Sequence, residues 1–178
     1  LGYFKCELLN AHTCAYLNDP MRLAGISSIC SVLNGALPER EPSNFIYESL
    51  SSFISKLSSN DWLKNYINFE LKLLSELGFS LNLLSCAVTG QVNELCYVSP
   101  KTGRAVSKNV GNPYKERLLA LPPFLVEESY SSNTDILNGL NLTGYFLKRN
   151  VFAQVNRGLP AARDRLVDRV VQKNRIVR

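Results

Sequence analysis

The sequence predicts a mainly α-helical fold, in which a helical bundle carries one small β-hairpin excursion. Residues 61–78 (DWLKNYINFELKLLSELG) predict a central helix, because apolar side chains cover nearly all of its surface outside one narrow polar stripe. The first half of the chain has further runs with helical spacing, separated by short polar breaks that favour antiparallel neighbours. Residues 86–107 differ, since short strand-like runs there alternate with turn signals.

Three more helices are predicted before the central one. Residues 7–17 can form the first. The second covers residues 20–37, capped by Asn18-Asp19-Pro20, with the proline in its first turn, where proline is favoured. Ser43 is the expected N-cap of the third, in which apolar residues recur at helical spacing over 45–57.

The second half of the chain is predicted to begin with a hairpin of two or three strands at about 86–107. Asn112-Pro113 then opens a short amphipathic helix over 113–121 (PYKERLLAL), which two prolines end. A further helix, capped by Thr134 or Asp135, continues towards residue 151. After a break at 154–160, the remaining sequence can again be helical.

Glu70 lies opposite the polar stripe of the central helix, in the middle of its apolar face. An ionised carboxylate is costly there unless a cation or several donors meet it. We therefore expect a buried partner, an arginine, for which Arg149 and Arg22 are the candidates.

Composition favours a soluble, intracellular protein with a sizeable core, since 46% of the 178 residues are hydrophobic. No apolar run approaches the roughly 20 residues that a membrane helix needs, so we expect a cytoplasmic protein without membrane association. The five cysteines are odd in number and irregularly spaced, without a C-x-x-C pair. This spacing supports neither a disulfide framework nor a zinc site, and predicts buried free thiols.

Positive charge is concentrated at the carboxyl end. From Lys148 onward there are nine basic and two acidic side chains, whereas residues 1–147 carry a net charge of −2. Such an asymmetry suits a surface that binds a polyanion, because each cation that meets a phosphate releases condensed counterions. It is equally common in unstructured solubilising tails, and composition leaves both interpretations open.

Catalytic motifs are absent from the sequence. There is no phosphate-binding loop, no G-x-S-x-G, no H-E-x-x-H and no carboxylate cluster at metal-ligand spacing. The single histidine, His12, lies two residues from Cys14, and side chains at that spacing do not face each other on a helix. We therefore expect His12 to be structural and the protein not to be an enzyme.

Four segments together resemble the bacterial recombination mediator family RecO, in its alphaproteobacterial form. They are LPERE at 37–41, YINFELKLLSELGFSLNLLSCAVTG at 66–90, CYVSPKTGRAVS at 96–107 and PYKERLLALPPFL at 113–125. The resemblance extends from about Leu1 to about Arg157. It implies a remnant of an OB-fold domain in residues 1–9, most of that domain lying outside this chain. It further implies a helical domain in residues 10–157. For residues 158–178, beyond the resemblance, charge and spacing predict a basic carboxy-terminal helix or tail.

Many members of this family carry a four-cysteine zinc finger in the hairpin excursion, which holds a small subdomain together. Here Cys86 matches the first ligand position, but Thr89, Ser107 and Val110 stand at the other three. We therefore expect no zinc and no other cofactor, with the hairpin held by packing on the central helix.

The resemblance implies an accessory protein of DNA repair and homologous recombination in a RecF-like pathway, in the bacterial cytoplasm at the nucleoid. Such a protein binds single- and double-stranded DNA, promotes strand annealing, contacts the single-strand-binding protein and a RecR-like partner, and helps to load RecA. The alternative is a protein-interaction module that docks the acidic tail of the single-strand-binding protein without binding DNA itself.

Two clusters of cations are the expected DNA contacts, one around the hairpin turn and one near the end of a helix. Their members are Lys101, Arg104, Lys108, Lys148, Arg149 and Arg157. Cations beside glycine-turn amides can contact phosphate. The turn cluster could equally be a solvated hairpin tip, and cations also favour helix carboxyl ends through the helix dipole.

Overall fold

Six α-helices and one small antiparallel sheet make up the part of the chain that the computed structural model describes, namely residues 3, 5–7, 11, 14–127 and 129–176. The helices are α1 (Pro20–Ala36), α2 (Asn44–Ser55), α3 (Trp62–Glu76), α4 (Lys108–Gly111), α5 (Asn133–Phe146) and α6 (Ala161–Ile176). The strands are β1 (Leu95–Val98), β2 (Ala105–Ser107) and β3 (Leu119–Ala120). The predicted fold class is confirmed. None of the helices described is both long and apolar enough to cross a membrane.

Side-chain caps fix the starts of α1 and α2 where the sequence predicts them. The Asp19 carboxylate accepts hydrogen bonds from the amides of Met21 and Arg22, and the Ser43 hydroxyl accepts one from the amide of Ile46. Each cap satisfies amides that have no partner inside the helix.

The amino-terminal predictions fall largely outside the described residues. This holds for His12 and for most of the OB-fold remnant expected over 1–9. Of the helix expected over 7–17, the structure describes a single 3₁₀ turn, Cys14–Tyr16.

Helix α3 joins two hydrophobic clusters, which is why its apolar face is so wide. Its first turns, with Tyr66 and Ile67, pack among buried side chains of α1, α2, α5 and α6. Its last turn, with Leu73 and Leu74, packs against the sheet and the end of α5. The helix ends where Gly78 adopts a φ of 85°, a conformation that glycine tolerates without strain.

The sheet has the order β2-β1-β3, with antiparallel pairs, and its inner face packs on α3.

The helix predicted over 113–121 is wrong in its second half. Only Asn112–Arg117 is helical, as a 3₁₀ segment, and Leu119–Ala120 pairs with β1 instead. The free edge of β1 offers backbone partners that the local sequence does not reveal, and the Leu121 amide also donates to the Cys96 carbonyl at 2.9 Å.

Helix α5 begins at a cap other than the predicted Thr134 or Asp135. Ser132 is the N-cap, and Asp135 completes a capping box by accepting from the Ser132 amide at 2.9 Å. The helix then passes into a π-helical segment, Leu147–Phe152, and the chain turns at Asn156 with a φ of 52°.

Helix α6 packs along α1 and against α5, so the basic end of the chain is an ordered helix through residue 176 rather than a tail. Leu166 and Val170 of this helix are buried.

The prediction of buried thiols is wrong for three of the five cysteines. Cys6, Cys14 and Cys30 are exposed, Cys96 is half-buried and only Cys86 is buried, although all five are free.

Candidate nucleic-acid interface

The turn between β1 and β2 presents two of the predicted DNA contacts on a fixed backbone. The Gly103 amide donates to the Ser99 carbonyl at 2.8 Å, and the Ser99 amide donates to the Arg104 carbonyl at 2.9 Å. Gly103 takes a φ of 68°, which closes the turn. Lys101 lies in the middle of this turn and Arg104 at its end, and both are exposed.

Arg149 brings a third cation to the same place from a distant part of the chain. It lies in the π-helical segment after α5, and its Nη1 donates to the carbonyl oxygens of Pro100 and Lys101. The guanidinium is exposed, and its Nε and Nη2 make no hydrogen bond within the described part of the chain. We call Lys101, Arg104 and Arg149 the cationic corner.

No carboxylate neutralises the cationic corner among the described residues, because none of its three side chains forms an ion pair within 4.0 Å there. Three positive charges on two rigid elements therefore face solvent together. Such an arrangement attracts an anion that can offer several negative groups at once.

The structure does not bring the other three predicted contacts to this corner. Lys108 lies at the far end of β2, where its amide donates to the Glu94 carbonyl at 2.8 Å. Lys148 lines a groove between α5 and α6, and Arg157 is exposed directly after the turn at Asn156.

Glu70 is buried, and its partner is Arg163 of α6 rather than Arg149 or Arg22. The Arg163 Nε and Nη2 donate to the two carboxylate oxygens at 2.7 and 2.8 Å, and the two side chains are 3% and 1% exposed. Arg149 holds the hairpin turn, while Arg22 donates to Asp19 and to the Leu57 carbonyl. The sequence does contain a signal for this pairing, because Arg163 lies among the apolar positions of α6 and is therefore expected to be buried.

A buried network surrounds this ion pair and ties α1, α3, α5 and α6 together. Tyr66 and Thr143 donate to the Glu70 carboxylate, and Ser28 lies 2.6 Å from the Tyr66 hydroxyl. Burial, aided by the Glu70 charge, raises the pKa of Tyr66 well above its usual 10.0. Burial opposes the charge on Arg163, but Glu70 raises the pKa of that guanidinium above its usual value, so Arg163 stays charged.

Gly144 makes room for the network. A Cβ atom at this position would lie 2.5 Å from the Nη1 of Arg163, closer than any ordinary contact. The close approach of α5 and α6 therefore requires glycine here.

Three of the four positions that correspond to zinc ligands lie together in the structure, namely Cys86, Thr89 and Ser107. Cys86 is 1% exposed, and its sulfur accepts a hydrogen bond from the Ser107 amide at 3.3 Å. Burial opposes ionisation of this thiol, but hydrogen bonds from Ser107 and Thr89 outweigh it and lower its pKa from 9.0 to about 6. The fourth position, Val110, packs against the core.

Hydrogen bonds and packing thus join the two sides of the hairpin at the positions that correspond to the ligands of the expected zinc finger. Within the described ranges, no three His, Cys, Asp or Glu side chains are grouped so that they could hold a metal ion. The absence of zinc stays a prediction.

Comparison with known proteins identifies the family. The family model for the Recombination protein O C terminal matches residues 17–157. The chain is 46% identical over 171 residues to the DNA repair protein RecO of Rhodospirillum centenum, covering 95% of this chain and 68% of that protein. It is 43% identical over 178 residues to the RecO of Phenylobacterium zucineum, covering 99% and 73% of the two chains.

The similarity extends beyond these two relatives. The RecO of Wolbachia pipientis wMel is 42% identical over 173 residues, covering 92% of this chain and 72% of the relative. No solved structure matches the chain significantly. The resemblance inferred from the four sequence segments is thereby confirmed, and the chain belongs to the RecO family of DNA repair proteins.

Proposed function

We propose that this chain serves DNA repair and homologous recombination by binding single- and double-stranded DNA through the cationic corner. The observation that carries the proposal is the pair of hydrogen bonds from Arg149 to the hairpin turn. These bonds join cations of two separate elements into one surface. The names of the relatives support the role in DNA repair.

The chemistry of the corner fits phosphate better than it fits a single carboxylate. Arg149 uses Nη1 to hold the turn, which leaves Nε and Nη2 to donate to phosphate oxygens from a preset orientation. Lys101 and Arg104 add two exposed positive charges on the same turn. The corner reads the backbone and not the bases, so binding should be largely independent of sequence.

Strand annealing and recombinase loading follow from the same proposal and require no catalytic group. Neutralising the phosphates of two strands at one surface lowers their repulsion. Contacts with the single-strand-binding protein, a RecR-like partner and RecA complete the proposed role. Lys108, Lys148 and Arg157 would extend the DNA surface away from the corner.

A groove between α5 and α6 is the place to consider for the alternative function, docking of an acidic tail. Its volume is about 370 Å³, and it combines apolar side chains such as Leu140 and Val167 with Lys148. However, Asp164 and Asp168 also line it. These carboxylates would repel an acidic peptide, and DNA binding at the corner is therefore the proposal we prefer.

Fluorescence anisotropy of a labelled single-stranded oligonucleotide, titrated at several salt concentrations, tests the proposal. The Lys101→Gln/Arg104→Gln variant should bind more weakly. The negative slope of log affinity against log salt should become shallower by about 1.4. Two cations are removed, and each phosphate that is no longer neutralised reduces the steepness of the slope by about 0.7 for a single strand. A matched control, Lys56→Gln/Lys72→Gln, removes the same charge from exposed positions lining the α2–α3 groove.

The control variant should bind nearly as well as the unchanged chain. Equal losses in both variants would show a net-charge effect only and refute the corner as the site. If the unchanged chain fails to bind even at low salt, the DNA-binding proposal itself is wrong.

A further inference from the structure

Helix α6 carries a row of cations on one side of its exposed surface. Arg165, Arg169 and Lys173 are exposed and stand four residues apart, so they lie on one stripe of the helix. With about 1.5 Å of rise per residue, the stripe is about 12 Å long. We call these three residues the α6 ridge. It lies outside residues 17–157, which the family model matches.

The acidic residues in the described part of α6 form no ion pair with the ridge. Asp168 stands three residues after Arg165 and therefore lies beside it, but Asp164 and Asp168 line the groove with α5, and none of the three ridge residues does. Helix α1, on which α6 also packs, contains no aspartate or glutamate over residues 20–36. Over the part of the chain that the structure describes, none of the three cations forms an ion pair within 4.0 Å.

Like charges four residues apart destabilise a helix, so the ridge is unfavourable for α6 by itself. The helix is held in place by other contacts, namely packing on α1 and the buried pair between Arg163 and Glu70. The cations are thus presented on a docked element whose orientation is fixed by the core, unlike the charges of a flexible tail.

We propose that the α6 ridge is a second contact surface for the sugar-phosphate backbone of DNA. Phosphates follow one another at about 3.4 Å per strand along a duplex, so a ridge of about 12 Å spans three to four of them. A linear polyanion is the partner that an unneutralised row of cations fits best. The inference rests on the DNA-binding function proposed above and extends it to a different element.

The test uses the 178-residue chain with Arg165→Gln, Arg169→Gln and Lys173→Gln combined. All three side chains are exposed and unpaired within the described ranges, so circular dichroism should show an unchanged fold. Anisotropy with a single-stranded oligonucleotide should show weaker binding and a salt slope shallower by about 2.

A matched control removes three exposed or half-exposed lysines elsewhere, Lys56, Lys72 and Lys115, by replacement with glutamine. This control should keep most of the salt slope. The proposal that the ridge contacts DNA is refuted if the ridge variant binds DNA like the unchanged chain. It is equally refuted if the control loses as much DNA affinity as the ridge variant. It is also refuted if the ridge variant loses binding of a labelled polyglutamate peptide while DNA binding stays the same.

The two proposals fail in distinguishable ways. If the unchanged chain binds DNA and only the Lys101→Gln/Arg104→Gln variant is weakened, the corner stands and the ridge does not. If the unchanged chain does not bind DNA at all, both are wrong.

Discussion

Replacing Arg163 by methionine is expected to lower the free energy of unfolding by about 3–5 kcal/mol, the usual effect of removing one partner of a buried ion pair. Methionine fills much of the same volume, so the loss is mainly electrostatic. Glu70 would remain buried with donors only from Tyr66 and Thr143. The Leu140 carbonyl would also lose the guanidinium that donates to it at 2.7 Å.

The double variant Glu70→Gln/Arg163→Met tests whether the uncompensated charge is the cause. Glutamine can still accept from Tyr66, and its amide can donate to the Thr143 hydroxyl, which contacts the other Glu70 oxygen. The double variant should therefore recover a large part of the stability that the single variant loses, because no unpaired charge remains in the core.

Urea unfolding followed by circular dichroism measures both variants. The single variant should shift the midpoint strongly without changing the denaturant slope, and thermal unfolding should move down by about 10 °C for a chain of this size. A loss below about 1 kcal/mol in the single variant, or a double variant no more stable than the single one, would refute this account of the core.

Three further predictions concern single positions. Gly144→Ala should destabilise the protein by about 1–3 kcal/mol, because the added Cβ would meet Arg163, whereas Gly158→Ala has open space and should be neutral in urea unfolding. Ser132→Ala should cost about 1 kcal/mol in the same assay through loss of the α5 capping box, and an unchanged midpoint would contradict that role. Because the pKa of Cys86 is lowered to about 6, its thiolate should contribute stability above pH 9 that is lost as the pH falls from 9.0 to about 6. Unfolding curves of Cys86→Ala should therefore depend less on pH in that window, and equal pH dependence in both proteins would exclude the thiolate.

Features encoded by a few neighbouring residues could be predicted from the sequence. The starts of α1 and α2 follow from Asp19 and Ser43, because a cap bonds amides only two or three residues away. The extent of α3 follows from its apolar periodicity and from Gly78, and the burial of Glu70 follows from its place on that helix. The cap of α5 could not be identified in this way, because Ser132, Thr134 and Asp135 all have side chains that can cap a helix. The predicted caps, Thr134 and Asp135, are wrong.

Contacts between distant segments were decided only by the tertiary structure. Sequence reasoning required an arginine for Glu70, but several arginines were available, and the docking of α6 selected Arg163, which is 93 residues away. Leu119–Ala120 became a strand because the edge of β1 offered hydrogen-bond partners that outweighed a helical pattern. The cationic corner likewise exists only because the segment after α5 reaches the hairpin turn. Local rules determine where most helices begin and end and which side chains must be buried or paired. The short strand β3 and the identity of each partner depend on how the elements pack.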